Sequence, residues 1–259
     1  MIDCVIVAGG VPGPDDPLYP YTQGKPKALA DIRGRTMLEH VVTAMHQAQQ
    51  VGHIVVVGLG DDRGQTFPCP VHHVPDQGGM IANAIAGIER LQQINPAVQN
   101  LIVATADIPL ITGAMIDGWL EQCRPYHDRI MVHTLVPVEL MQARFPGSKR
   151  TFTKLKGMEI TGGDLVLVQP RIIETNRELW DAAANARKHA WKLARLVGFT
   201  TLFKLLTRRL GLTDLEAIGT RLLGSPVKII LTHHPELGMD GDKPHQVELI
   251  RAALSPDNG

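Results

Sequence analysis

The 259-residue sequence predicts an α/β fold: a single, mostly parallel sheet with helices on both faces, in a Rossmann-like three-layer arrangement. Three observations carry that expectation. Short β-rich runs recur along the chain, helical patterns fall between them, and several runs are continuously apolar, as strands buried on both faces tend to be. The runs are Cys4 to Ala8, His53 to Val57, Val71 to Val74, Leu101 to Ala104, Ile130 to Val136, Asp164 to Val168 and Val227 to Leu231.

Between the first two runs, Thr36 Met37 Leu38 Glu39 has the form of a capping box, and Met37, Leu38, Val41, Val42 and Met45 continue as a helical stripe. A second stripe, Ile81, Ile85, Ile88 and Leu91, follows Pro75 Asp76 Gln77 Gly78 Gly79. The strand, loop, helix, strand order repeats to about residue 120, which places ligands beyond the carboxyl ends of the strands. From about 170 to 225 the pattern turns almost wholly helical, with Trp180, Leu206 and Leu210 among the expected buried positions. One domain over 1–259 with a helical insertion at about 170–225 is expected.

Within the insertion, Arg187 to Arg209 carries seven basic residues and no Asp or Glu. A helix of that kind suits peripheral contact with anionic lipid, a phosphorylated ligand, or plain solvation of one face. The whole chain balances 26 basic against 26 acidic residues, so no global field draws it to nucleic acid. Cys4, Cys69 and Cys123 are widely spaced without a C-x-x-C pair, which points to reduced thiols. The sequence opens into a strand with no basic leader, and no apolar run reaches the roughly 20 residues that span a bilayer, so a cytoplasmic location is expected.

Four segments carry the chemistry. The first strand breaks into Gly9 Gly10, and Gln23 Gly24 Lys25 Pro26 Lys27 follows. Glycines let main-chain N–H groups approach an anion or a base, and lysine supplies a mobile point charge for phosphate. The dinucleotide pattern G-x-G-x-x-G is absent, and the prolines at 12, 14 and 17 oppose a regular helix directly after the turn. The Walker pattern fails because Pro26 follows Gly24 Lys25. The second segment, Leu101 to Leu110, ends an apolar strand in Asp107, where a hard carboxylate can hold Mg²⁺ against nucleotide phosphates. The third, Asp240 Gly241 Asp242, offers a second carboxylate, Asp242 being preferred. In the fourth, Gln77 can pair with a base edge, or the glycines can simply turn the chain into a helix. The pairs His72 His73 and His233 His234 suit metal poorly, because neighbouring side chains on a strand face opposite ways.

Taken in order, Ala8 Gly9 Gly10, Pro26 Lys27 Ala28 Leu29 with Gly34 and Leu38 Glu39, Asp107 Ile108 Pro109 Leu110, and Asp240 Gly241 Asp242 Lys243 Pro244 resemble the nucleotidyltransferases of the molybdenum-cofactor guanylyl- and cytidylyltransferase type. The resemblance spans nearly the whole chain and implies the GT-A-like nucleotidyltransferase sheet. It implies that Ala8, Gly9 and Gly10 line the nucleotide and that Lys27 contacts its phosphates. It gives Asp107 and Asp242 to a catalytic Mg²⁺, and Gln77 and Gly79 to the base. Arg150, Thr151, Lys154, Lys156 and the strand entry Thr161 Gly162 Gly163 Asp164 match the place where related enzymes bind the second substrate, with Arg150, Lys154 and Gly163 foremost. The chain departs from the family at one loop: no arginine lies between Gly10 and Lys27, so Lys25 or a group elsewhere must face the leaving pyrophosphate.

The implied reaction moves an NMP from an NTP to a phosphorylated small-molecule acceptor and releases pyrophosphate. Two alternatives stay open at the level of sequence. One is a GT-A-type glycosyltransferase using a nucleotide-sugar at the D-x-D site. The other is a nucleotide-binding protein with weakened catalysis, suggested by the absent arginine.

Overall fold

In the computed structural model, residues 1–59, 65–175, 179–180, 198, 201, 204 and 206–255 are described. The strands are β1 (Ile2–Val7), β2 (Asp31–Ile32), β3 (Arg35–Thr36), β4 (Val51–Val57), β5 (His72–Val74), β6 (Leu101–Thr105), β7 (Met131–Pro137), β8 (Thr153–Leu155), β9 (Met158–Val168) and β10 (Val227–Leu231). The helices are α1 (Tyr19–Thr22), α2 (Met37–Gln47), α3 (Met80–Ile94), α4 (Gly113–Cys123), α5 (Val138–Arg144), α6 (Leu212–Leu223) and α7 (Pro244–Ala253). The main sheet has the order β10-β7-β9-β6-β1-β4-β5, with β8 paired to β9, and β2–β3 form a separate ribbon. Pairings among β6, β1, β4 and β5, and between β7 and β10, are parallel; β9 alone runs against its neighbours β6, β7 and β8.

Alternation along the central strands decides the layering. Cys4, Ile6, Ile54, Val56, Ile102 and Ala104 pack on one face with the α2 and α4 side chains Leu38, Val41, Met45, Ile116 and Trp119. Val5, Val7, Val55, Val57 and Leu101 pack on the other face with Ile88 and Leu91 of α3. A strand apolar on both faces has no solvent side, and each fully buried aliphatic side chain contributes about 1.5–3 kcal/mol. The α2 stripe is buried as the sequence pattern requires, and its capping box forms: the Thr36 hydroxyl accepts from Glu39 N–H at 3.2 Å and Glu39 accepts from Thr36 N–H at 2.7 Å.

Three sequence expectations change. In α3 the buried face runs through Asn83, Gly87, Ile88 and Leu91, leaving Ile81 and Ile85 half-buried. The helix is turned because Gly87 lies against Val5, where a Cβ would come within 2.3 Å of a valine methyl. The strand expected at Asp164–Val168 begins earlier, at Met158, and takes in Thr161 Gly162 Gly163. The β7–β9 register shifts between His133 and Leu135, and Gly163 lies so near Thr134 that a Cβ would stand 2.9 Å from its methyl, so glycine admits the close approach. Leu206 is 82% exposed, sitting just before the turn in which Arg209 and Leu210 N–H both bond to the Lys204 carbonyl.

Of the expected helical insertion, Leu210 is buried and α6 forms its C-terminal part; most positions from 176 to 205 lie outside the described residues. The basic run falls largely there too, and of its described members Lys204 pairs with Asp214 at 2.8 Å. The three cysteines are free, and burial pushes the Cys123 thiol up to about 12. His72 sits against His53 and His73 against Phe67, and no cluster of three metal-binding side chains occurs among the described residues. No helix among them is long and apolar enough to cross a membrane.

Candidate active site

The glycine loop leaves β1 between the ends of β4 and β6, and its backbone is fixed on both sides. Ala8 N–H bonds to Val57 O at 2.7 Å, and Ala106 N–H to Val7 O at 3.0 Å. Gly58, with φ +118°, passes so close beneath that a Cβ on it would fall 2.3 Å from Gly9 N. Gly9 in turn rests on Asp76 and Asn83, whose amide donates to the Asp76 carboxylate at 2.8 Å and accepts from Gln77 N–H at 2.6 Å. Gly10 has φ +102° and open space beyond its Cα, which leaves the loop's outer face available to a ligand. The prolines hold the next residues out of a helix until α1, and the segment returns so that Lys27 N–H bonds to Gly10 O at 3.0 Å.

That return places Lys27, first residue of a 3₁₀ turn after Pro26, at the centre of the site. Its ammonium bridges the carboxylates of Asp107 and Asp242. Asp107 follows β6, and its own carbonyl accepts from Gly241 N–H at 2.9 Å, which pins the C-terminal loop against the strand end. Burial works against charge at both Lys27 and Asp107. At Lys27 the two carboxylates outweigh it and raise the pKa, and at Asp107 the adjacent ammonium outweighs it and lowers the pKa.

A second cluster adjoins the first. The Arg150 guanidinium pairs with Asp240, stands 3.9 Å from Asp164 on β9, and donates to Gly162 O at 3.3 Å. Burial, reinforced by Asp107 and Asp240, holds the Asp164 carboxyl well above the usual range. Asp240 is pushed up to about 6 by burial, with Asp242 and Asp107 adding to it and Arg150 opposing. A cavity of about 330 Å³ opens between the clusters, lined by Arg150, Thr151, Thr161, Gly162, Asp240, Asp242, Lys243 and Gln246.

The structure therefore brings together Lys27, Asp107, Asp242 and Arg150, with Ala8, Gly9 and Gly10 alongside. Lys25 is exposed in the same loop. Gln77 and Gly79 are exposed at the start of α3, the Gln77 amide donating to Pro75 O at 2.9 Å. Lys154 pairs with Glu159 across the β8–β9 hairpin at 2.9 Å and does not line the cavity. Gly163 is buried against Thr134, and it is Gly162 that reaches the cavity wall. Asn83 and Gln246 escaped the sequence reading because each is a lone polar residue on a helix. Asp240 was visible only as the neighbour of Asp242, and the two acids turn to different cations.

For Mg²⁺, the residues present fit. Two oxygen donors, Asp107 and Asp242, converge on one cationic position, and Asp107 Oδ1 is buried without a hydrogen-bond partner among the described residues. Mg²⁺ is commonly held by one or two carboxylates plus substrate phosphates rather than by a full protein cage.

A mostly parallel sheet with a glycine loop, a lysine and carboxylates at its strand ends defines the nucleotidyltransferase class of fold. The chain belongs to the MobA-like NTP transferase domain family, whose model matches residues 4–144, more than half its length. A hypothetical transferase from Thermus thermophilus has a solved structure that superposes with a TM-score of 0.81 at 32% identity, covering 95% of this chain and 99% of that one. The bifunctional protein GlmU of Nocardia farcinica (strain IFM 10152) is 30% identical over an alignment of 128 residues that covers 43% of this chain and 25% of that protein. This chain thus matches about a quarter of that relative's length. A CMP:2-keto-3-deoxy-manno-octonic acid synthetase in complex with CTP shares the fold at a TM-score of 0.57 and 11% identity, covering 99% of this chain and 98% of that one.

Proposed function

We propose that this protein transfers an NMP from an NTP to a phosphorylated small-molecule acceptor. An acceptor phosphate oxygen bonds to the α-phosphorus, the bond from that phosphorus to the bridging oxygen breaks, and pyrophosphate leaves with the electron pair. The observation that carries the reading is the convergence of one ammonium, Lys27, and two carboxylates, Asp107 and Asp242, from three distant segments beside the glycine loop. The acceptor oxygen is already anionic, so no strong general base is needed. The task is to align two polyanions and offset their repulsion, which is catalysis by positioning and electrostatics.

In this reading Ala8, Gly9 and Gly10 present backbone to the nucleotide, Gln77 and Gly79 border its base, and Lys27 moves its charge onto the phosphates. Mg²⁺, held by Asp107 and Asp242, would supply further neutralisation of phosphate charge when bound. Asp240 is engaged by Arg150 while Asp242 faces Lys27, which favours this reading over a glycosyltransferase whose D-x-D acids share one metal.

The test is a thermal-shift panel of the four NTPs with Mg²⁺, followed by pyrophosphate release across phosphorylated acceptors. A cognate NTP at a hundredfold excess over its Kd adds about 2.7 kcal/mol, a rise of about 5–10 °C. Nucleoside diphosphate released from a nucleotide-sugar, or tight NTP binding with no product from any acceptor, overturns the proposal.

A further inference from the structure

The core face of α3 carries one residue that its helix does not need. Asn83 is 1% exposed in the first turn, on the face that continues through Gly87, Ile88 and Leu91. A buried amide is unfavourable unless its donors and acceptor are met, and an apolar side chain would pack this position without that penalty. Asn83 directs its amide to the segment before the helix. Its Oδ1 accepts from Gln77 N–H at 2.6 Å, and its Nδ2 donates to Asp76 Oδ1 at 2.8 Å. The same Asp76 oxygen accepts from Gly78 N–H at 3.3 Å, and Asn83 N–H bonds to Gly79 O at 2.8 Å. Every residue from Asp76 to Gly79 is thereby tied to Asn83, directly or through Asp76.

The amide also faces the glycine loop. A Cβ at Gly9 would stand 2.5 Å from Asn83 Nδ2 and 2.9 Å from Asp76 Oδ1, so the amide fills the space that a side chain there would take. The glycine loop has supports of its own in the bonds from Ala8 N–H to Val57 O and from Lys27 N–H to Gly10 O. The segment from Asp76 to Gly79 is held differently. Its four residues are exposed, Gly78 has φ +82°, and both glycines have open space beyond their Cα atoms. Among the described residues its hydrogen bonds run to Asn83, to Asp76, or from the Gln77 side chain to Pro75 O at 2.9 Å.

We infer that Asn83 is the positioning residue of base recognition: it holds the Gln77–Gly79 segment in one place against the glycine loop, so that a base meets hydrogen-bonding groups already in register. This rests on the nucleotidyltransferase reading, in which that segment borders the base, and goes beyond it by assigning what fixes the segment. Buried beneath the loop, Asn83 acts through Gln77. Groups that recognise a ligand must be held within about 0.5 Å of their productive places, and a segment ordered in advance loses less freedom when the ligand binds. Removing the Asn83 amide therefore lowers discrimination among bases more than it lowers the grip on phosphates.

Titration calorimetry on the full chain with Mg²⁺ tests this by comparing the four NTPs with inorganic tripolyphosphate, which has no base. The wild-type chain should prefer one NTP. Asn83→Ala should cut that preference over the next NTP about fivefold, the range expected for a lost hydrogen bond, and leave tripolyphosphate affinity within about twofold. Asp76→Ala, at an exposed position outside the core, should cut it about threefold with an unchanged melting temperature. Asn83→Asp sets a carboxylate against that of Asp76, and adding Asp76→Asn restores a donor between them, so the double variant should regain about threefold in preference over Asn83→Asp alone. Amide hydrogen exchange at Gln77 should be slow in wild type and fast in Asn83→Ala. Equal losses for NTP and tripolyphosphate, an unchanged base preference in both alanine variants, or no recovery in the double variant overturns the proposal. A wild-type chain that protects Gln77 yet binds every NTP no more tightly than tripolyphosphate sinks the nucleotide reading of the segment, and the proposal falls with it. A base preference that survives the release of Gln77 sinks the proposal alone.

Discussion

The glycine-loop side of the site is held by main-chain hydrogen bonds, whereas the Arg150 side is held by side-chain ion pairs. On the first side Ala8, Gly10 and Ala106 are fixed by backbone bonds to Val57, Lys27 and Val7, and Gly58 and Gly9 pack backbone on backbone. On the second, Arg150 gathers Asp240 and Asp164 with only a single carbonyl contact, to Gly162. Residues 4–144, the span matched by the family model, contain the whole of the first side and none of the second. A backbone-built site tolerates change in most side chains and suits a ligand part common to many substrates, such as a triphosphate. A side-chain-built site can be respecified by a few substitutions, which suits an acceptor.

The largest effect that would break this division is expected at the seam. Asp107→Ala removes one of the two carboxylates facing Lys27, and kcat for pyrophosphate release should fall about 10³-fold, in the range seen when one transition-state stabilising group is lost. Release within tenfold of wild type, measured on the folded variant, would move the chemistry away from Lys27 and Asp107.

Arg150→Met should act mainly on stability. It leaves Asp240 and Asp164 buried without their cation, and removing one partner of a buried ion pair costs about 3–5 kcal/mol. Urea denaturation reads this directly. A loss below about 1 kcal/mol would mean that the acceptor side is held by backbone after all, and the contrast between the two sides would go.

The same contrast explains what could be read from the sequence. Central strands announced themselves as apolar runs and α2 by its Thr36–Glu39 capping box, because both signals are local. Lys27 and Asp107 were legible for the same reason, one at the end of a loop with glycines and the other at the end of an apolar strand. Arg150 and Asp164 could be assigned only through resemblance, and Gln246 not as a site residue at all. Their roles depend on β9 running antiparallel between β6 and β7 and on α7 sharing a cavity wall with it, and neither has a local sequence mark.

A pH titration sharpens the comparison further. Asp240 has a folded pKa of about 6 against an ordinary 3.8, through burial first and then Asp242 and Asp107, with Arg150 opposing. Between those values the folded chain holds a proton that the unfolded chain has released, so this group's contribution to stability falls as pH rises through the window and is flat above it. Asp107 has the opposite sign: its lowered pKa gives stability above the ordinary carboxylate range that is lost only as acid titrates the folded group. Asp240→Asn should therefore remove a decline of at most about 2 kcal/mol between pH 4 and pH 6.5, seen as the difference in urea midpoints between wild type and variant. An identical pH profile for the two proteins would show that Asp240 is ionised throughout, with Arg150 strong enough to hold its charge.

Lys25→Gln should have the smallest effect, and it bears on the arginine that the loop lacks. Lys25 is exposed, and among the described residues its ammonium makes no ion pair, so folding stability should stay within about 0.5 kcal/mol. An exposed charge acting on a phosphate through water is worth about 1 kcal/mol, so NTP affinity should weaken about fivefold by titration calorimetry, with kcat less affected. Lys25 and Lys27 are the only cations between Gly10 and Ala28, and Lys27 is already shared by two carboxylates. A kcat loss approaching that of Asp107→Ala would place Lys25 on the leaving pyrophosphate in the arginine's stead. The glycine-loop side would then depend on one exposed side chain as heavily as the other side depends on Arg150.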